Sequence, residues 1–255
     1  MKVGVVKIYG YGVVGKVIHS LFPDAVIYDP AQGFINTEKA DIAFVCVPTP
    51  NLPDGSLDMS IVEDVVTQGK EDLFIIRSAL QPGTADRLEG LGKNIVVQPE
   101  YLGEGVAPPM VDESKTPFMV LGGRPENTRR AIELYQRVYN ANIKIRQVTN
   151  LEAEVIKLSE NWSILWVVAR SQELYDVCEK AGIDYYKIRE AVYGDDPRFN
   201  LYWTFIYPDK RGANSKCIPK DVYAWAAWAK SVGYDPEITR AILERNKKWL
   251  GSDYR

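Results

Sequence analysis

The sequence predicts an α/β protein: a Rossmann-type, mostly parallel sheet domain over residues 1–148, then an all-helical domain over 149–255 built on a long central helix. Three observations predict it. Short β-branched runs alternate with helical segments through the first part, the pattern of parallel strands joined by right-handed crossovers. A glycine-rich turn, Gly10-Tyr11-Gly12-Val13-Val14-Gly15, joins the first strand to the first helix. Past residue 148 the strand pattern stops, and Asn150–Ala181 runs without proline or glycine, with Val155, Leu158, Trp162, Leu165 and Val168 at helical spacing.

Taken in order, Lys2–Tyr9 is a β-branched run that stops at Gly10, and Val13–Phe22 reads as a helix. Ala25–Tyr28 is a short strand ending at Asp29. Asp41–Val47 is continuously apolar, as a strand covered on both faces must be. The turn residues Pro53, Asp54 and Gly55 precede a helix over Leu57–Thr67. Strands follow at Phe74–Arg77, Asn94–Gln98 and Pro117–Leu121 with helical segments among them, then a helix over Glu126–Tyr139 and a last strand over Ile143–Arg146. In the second domain the long helix stops at Gly182, a residue suited to the left-handed turn that ends helices. A second helix covers Asp184–Val192, and residues 194–218 form an irregular loop rich in charge and aromatics. Pro219 opens a third helix, where proline is tolerated, and a final helix runs from Pro236 to about Trp249.

The chain has 255 residues, 46% apolar and 25% charged, enough to bury a core. Its net charge of −3 implies no broad cationic surface and argues against a nucleic-acid partner. An anionic ligand must be held by local donors. The first residues lack the pattern of a signal peptide and no apolar stretch has the length of a membrane span, so a cytoplasmic protein with no membrane partner is expected. Three cysteines at wide spacing, Cys46, Cys178 and Cys217, suggest neither a disulfide framework nor a zinc site. The single histidine, His19, falls inside the first helix and reads as a packing or surface residue.

The glycine turn carries specific physics. One glycine makes the tight turn, one lets backbone approach a pyrophosphate, and one permits close helix-to-strand packing, while the helix N-terminus offers N–H donors to phosphate. Asp29 lies nineteen residues after Gly10, near the ~20 expected of the acid that binds the ribose 2′-hydroxyl. That acid repels a 2′-phosphate, so the expected cofactor is NAD, held by Gly10, Gly12, Val13, Val14, Gly15 and Asp29. Among the cysteines, Cys46 lies in a strand and Cys178 in the long helix. Cys217 stands outside an apolar element, beside Lys216 and Lys220 and just ahead of a helix start at Pro219, surroundings that favour a thiolate. The competing description is a surface thiol among charged residues.

Later motifs resemble the UDP-glucose/GDP-mannose 6-dehydrogenase family. Val47-Pro48-Thr49-Pro50 with Asp54-Gly55-Ser56-Leu57-Asp58, then Gln98-Pro99-Glu100-Tyr101-Leu102-Gly103-Glu104-Gly105, match two of its segments. So do Glu152-Ala153-Glu154-Val155-Ile156-Lys157-Leu158-Ser159-Glu160-Asn161, Asp196-Pro197-Arg198 and Cys217-Ile218-Pro219-Lys220-Asp221, in the same order. Asn246 falls where the family has a Val-Asn pair. The resemblance implies NAD-dependent oxidation of a nucleotide-sugar 6-hydroxyl to the uronate through a cysteine thiohemiacetal and thioester. It implies Cys217 as nucleophile, Lys157 and Asn161 as oxyanion donors, Asp221 as base or water-orienting acid, and Glu104 near the hydrolytic water. It adds Val47, Pro48, Thr49, Glu100 and Lys220 to the cofactor contacts, and Tyr101, Leu102 and Arg198 to the substrate contacts. Arg198 would come from a neighbouring subunit, which implies a homodimer through the long helix. For Lys157 with Asn161 the bland alternative is a polar stripe on a helix, for Asp221 complementation of a helix dipole, and for Glu100 and Glu104 solvated loop acids.

Departures from the pattern accompany these matches. Ala79 stands where the family has a water-binding threonine, Gly103 where it has an arginine, and Arg211-Gly212-Ala213-Asn214-Ser215-Lys216 where it has a glycine-rich run. The family's C-terminal domain has no counterpart in the 255 residues. Two further functions are therefore open: a catalytically degenerate NAD-binding protein with a regulatory or scaffold role, and a one-step hydroxyacid dehydrogenase, against which Cys217 argues because a single hydride transfer needs no covalent capture.

Overall fold

The computed structural model describes residues 4–101, 113, 116–139 and 142–251. It divides into two compact units, Met1–Lys157 and Leu158–Arg255. No helix among the described residues is long and apolar enough to cross a membrane.

The first unit is an eight-stranded sheet. In chain order its strands are β1 (Val6–Tyr9), β2 (Val26–Asp29), β3 (Phe34–Ile35), β4 (Ile42–Val45), β5 (Leu73–Ile76), β6 (Ile95–Val97), β7 (Phe118–Gly122) and β8 (Lys144–Val148). Their order across the sheet is β3-β2-β1-β4-β5-β6-β7-β8. The pairings are parallel except β2 with β3 and β6 with β7. Helices α1 (Val13–Leu21), α2 (Ser60–Gln68), α3 (Thr84–Gly90) and α4 (Pro125–Tyr135) connect them. The mostly parallel Rossmann-type sheet expected from the alternating pattern is present.

Alternation along the strands explains why the central ones read as unbroken apolar runs. Ile8, Phe44, Ile75 and Val96 point to one face and pack with Ile18 of α1 and Ala131, Leu134 and Tyr135 of α4. Ala43, Val45, Phe74 and Ile76 point the other way, and they, Val62 and Val66 of α2, and Leu88 of α3 are all buried. Each buried valine, leucine, isoleucine or phenylalanine among them contributes roughly 1.5–3 kcal/mol by leaving water.

Strand β3 was not legible in the sequence. A 3-10 turn at Pro30–Gln32 and Gly33, with φ of +82°, reverse the chain and lay Phe34 and Ile35 antiparallel to β2. The chain then reaches β4 through residues 36–41, without a crossover helix. The adjoining part of β1 carries polar side chains: Lys7, 4% exposed, donates to the Glu38 carbonyl at 2.8 Å and pairs with Glu71 at 3.5 Å. Tyr9 donates its hydroxyl to the same Glu71 carboxylate.

Helix α5 (Asn150–Ala181) begins in the first unit and continues in the second. It stops at Gly182, with φ of +66°, where the Ile183 N–H closes back on the Cys178 carbonyl. The second unit continues with α6 (Tyr185–Arg189), α7 (Ile218–Ser231) and α8 (Glu237–Leu250). The single helix expected over Asp184–Val192 is instead α6 followed by a π-helical turn at Glu190–Gly194. A core of Leu165, Ala213, Ile218, Val222 and Leu243 joins α5, α7 and α8.

Candidate functional site

In the first unit, β1, β4, β5 and β6 all end at one edge of the sheet, and the loops carrying the sequence motifs leave from it. Successive backbone bonds fix this edge: Gly10 N–H to Tyr28 carbonyl, Cys46 to Tyr9, Arg77 to Val45, and Gln98 to Ile76. Ligands of open α/β sheets bind at the carboxyl ends of the strands.

The three glycines of the turn differ in what they answer to. Gly10 has φ of +88°, and a Cβ there would lie 2.6 Å from the Cys46 carbonyl oxygen. A Cβ on Gly15 would lie 2.1 Å from the Gly10 oxygen, so helix and strand could not close. A Cβ on Gly12 would meet no protein atom within 4 Å. The open space stands at the N-cap of α1, whose first turn, from Val13 and Val14 on, carries no acidic side chain. Space without a protein occupant beside unshielded N–H donors suits a pyrophosphate. Asp29 stands next to it: its Oδ2 accepts the Tyr11 N–H at 2.8 Å and the Gln32 side-chain amide at 2.8 Å. The Tyr11 bond, foremost, holds the Asp29 carboxyl below the usual carboxylate range, so it stays an ionised acceptor. These residues fit NAD.

The neighbouring segment Val47-Pro48-Thr49 has Thr49 buried and Pro48 exposed. The Val47 carbonyl accepts the Ser78 hydroxyl at 2.7 Å. Ser78 therefore spends its hydroxyl on backbone, and Ala79 beside it has none. Glu100 and Tyr101 meet Lys157 of α5: the ammonium lies 3.5 Å from the Glu100 carboxylate and 5.5 Å from the centre of the Tyr101 ring. Tyr101 packs in turn on Phe118, with ring centres 4.9 Å apart. Leu102 and Glu104 lie outside the described residues.

Two buried groups of this unit were missed in the sequence. Glu154 of α5, 1% exposed, accepts N–H bonds from Gly83 at 2.6 Å and Ala85 at 2.8 Å. It caps α3 from another element, and burial raises its pKa to about 7. Its partners stand some seventy residues back in the chain, so no local spacing reveals them. Arg77, directly after β5, is fully buried and faces the Glu113 carboxylate at 2.7 Å, while Tyr139 donates to Glu113 at 3.0 Å. Burial pushes the nearby Cys46 thiol up to about 12, leaving it protonated at neutral pH.

In the second unit, Cys217 precedes α7 and is partly exposed, whereas Cys178 is buried. The Cys217 carbonyl accepts the Asp221 N–H at 2.9 Å, which sets Asp221 one helical turn beyond the thiol residue. Asp221 is 1% exposed and accepts from Asn161 Nδ2 at 2.6 Å and Lys220 Nζ at 2.7 Å. The buried Asn161 and the partly exposed Lys220 thus converge on the buried Asp221 beside the α7 start. Arg198 is exposed: 80% of its side chain meets solvent and its guanidinium pairs with Asp196 at 2.6 Å.

Residues 32–142 match the NAD binding domain of the UDP-glucose/GDP-mannose dehydrogenase family, and residues 151–248 match its central domain. A UDP-glucose 6-dehydrogenase of Pseudomonas aeruginosa is 29% identical over 228 residues, 82% of this chain and 49% of that protein. One from Haloferax volcanii is 27% identical, over 81% of this chain and 52% of its own length. The chain spans about half the length of the curated relatives it matches. Among solved structures, a UDP-glucose dehydrogenase from Pyrobaculum islandicum superposes with a TM-score of 0.75 at 24% identity, covering 96% of this chain and 68% of that one. A Mycobacterium tuberculosis 3-hydroxyisobutyrate dehydrogenase superposes with a TM-score of 0.72 at 16% identity, covering 99% and 95%. At these identities the structural matches speak for the fold.

Proposed function

Because this chain belongs to the UDP-glucose/GDP-mannose dehydrogenase family, carrying its NAD binding and central domains, we propose that it oxidises the 6-hydroxyl of a UDP-glucose-like nucleotide sugar to the uronate. The domain assignment that goes with this is cofactor binding in residues 1–148 and the thiol and subunit contacts in residues 149–255. NAD, held by the Gly10–Gly15 turn and Asp29, would supply the hydride acceptor for both oxidations, at the alcohol and after capture of the aldehyde. The Cys217 thiolate adds to the aldehyde carbon to give a thiohemiacetal. Loss of a second hydride gives a thioester, and water releases the carboxylate and regenerates the thiol. Two NADH form per sugar.

The observation that carries the proposal is the buried carboxylate one turn beyond Cys217, Asp221, held by Asn161 and Lys220. A carboxylate placed by two donors is suited to take the hydroxyl proton or orient the hydrolytic water. Lys157 and Asn161 would stabilise the oxyanion, and Glu104 would serve thioester hydrolysis. Gly10, Gly12, Val13, Val14, Gly15, Asp29, Val47, Pro48, Thr49, Glu100 and Lys220 would hold the cofactor. Tyr101, Leu102 and the Arg198 of a second subunit would contact the sugar, in a cytoplasmic homodimer joined through α5.

The test is NADH release from NAD and UDP-glucose or a related sugar nucleotide. The wild-type chain is expected to yield two NADH per sugar, and Cys217→Ser to stop after the first with the aldehyde accumulating. A second function is favoured by one observation: Ala79 has no hydroxyl and Ser78 gives its own to Val47. A chain that binds NAD but yields no NADH across a sugar-nucleotide panel would be a degenerate, regulatory NAD-binding member.

A further inference from the structure

We infer that Asn246 and Asp176 are positioning residues for Cys217, clamping the loop that leads into the thiol from two helices at once. The inference rests on Cys217 being the nucleophile. Asn246 of α8, 2% exposed, engages both backbone groups of one residue: its Oδ1 accepts the Ala213 N–H at 2.8 Å and its Nδ2 donates to the Ala213 carbonyl at 3.1 Å. This is the pairing one strand offers another, made by a single side chain. Gly212 is what lets it form. Its φ is +76°, and a Cβ there would come within 2.8 Å of Asn246 Oδ1. Gly212 is the one glycine in the run Arg211–Lys216, and its missing side chain has this use.

Asp176 of α5 holds the preceding residue. Its Oδ1 accepts from Arg211 Nη2 at 2.6 Å, and its Oδ2 from Arg245 at 2.9 Å and Trp249 Nε1 at 2.8 Å, both on α8. Arg211 also donates to the Gln172 side chain and lies 4.6 Å over the Tyr175 ring. Asp176 keeps its charge: although burial opposes it, the bonds from Trp249 and Arg211 hold the carboxyl below the usual range. Arg211 and Ala213 are therefore fixed to α5 and α8. Cys217 follows four residues after Ala213, and Ser215 Oγ accepts the Ile218 N–H at 3.1 Å across it. The thiol residue is held upstream at Ala213 and downstream at Asp221, and the four-residue tether leaves it little room to wander. Ordering of this kind is what sets a nucleophile within reach of its target.

The test uses the whole chain carrying Asn246→Ala, with Gly212→Ala as an independent variant should the first not fold. Backbone amide exchange over 211–217 is expected to quicken by about tenfold, with the sheet unchanged. Iodoacetamide alkylation of Cys217 is expected to rise roughly fivefold as the half-buried thiol is released, while buried Cys178 stays unmodified. The kcat with sugar nucleotide should fall by about tenfold or more while the Kd for NAD holds. Alkylation rising while turnover falls is a pair of changes that simple loss of stability, which would expose Cys178 too, does not produce. A folded variant whose Cys217 alkylates and turns over as wild type overturns the inference alone. Wild-type turnover that survives Cys217→Ser overturns the nucleophile assignment, and the inference with it.

Discussion

At the scale of single residues, two carboxylates do opposite things with backbone N–H groups. Asp29 is partly exposed and its bonds with Tyr11 and Gln32 keep it ionised. Replacing it by alanine removes a charged acceptor for a ribose hydroxyl, which is worth roughly 1.5–3 kcal/mol. The Kd for NAD measured by titration calorimetry should rise by roughly 10- to 150-fold. Glu154 also accepts two N–H bonds, but burial wins and raises its pKa from 4.5 to about 7. The folded chain thus holds this proton more tightly than the unfolded one. Its contribution to stability is complete below about pH 4.5 and is lost as pH rises through about 7, a span of roughly 3 kcal/mol. Urea midpoints taken from pH 4.5 to 8 should decline, and Glu154→Gln should flatten that decline. A decline of equal slope in the variant would show that another group titrates.

At the scale of elements, the close approach of α5 to β7 depends on one absent side chain. A Cβ on Gly122 would fall 2.5 Å from the Ala153 Cβ and 2.8 Å from the Thr149 oxygen. Gly122→Ala should therefore push the start of α5 off the strand and cost roughly 1–3 kcal/mol, read as a lower urea midpoint. What was legible in the sequence follows the same logic of elements. The unbroken apolar run of β4 and the long stretch of α5 without a breaker announce themselves, because burial on both faces and helical spacing leave marks in local order. The glycine turn and Asp29 were legible for the same reason, being a strand, a turn and a strand end in sequence. Strand β3 left no mark: two residues have no period, and Ile35 is 73% exposed. The π-helical turn after α6 leaves none either, since its residues carry ordinary helical preference. Glu154, the pairing of Arg77 with Glu113 and the grip of Asn246 on Ala213 are contacts across 33 to 71 residues of chain. Their polar residues look like surface until the fold puts them inside.

At the scale of the whole molecule, the sheet has two margins, and each is made unfit as a template by different means. Strand β3 is a two-residue strip, too brief to register a neighbouring chain. Strand β8 is longer, but Lys144 and Arg146 stand exposed along it. An incoming strand would have to desolvate both cations to dock. The double variant Lys144→Val with Arg146→Val removes that barrier without touching the core. It should scatter light on concentration, while the wild type stays clear at the same ionic strength. An eight-stranded sheet rich in valine and isoleucine is in this way kept from adding a ninth strand out of a stranger's backbone, by brevity on one flank and by charge on the other.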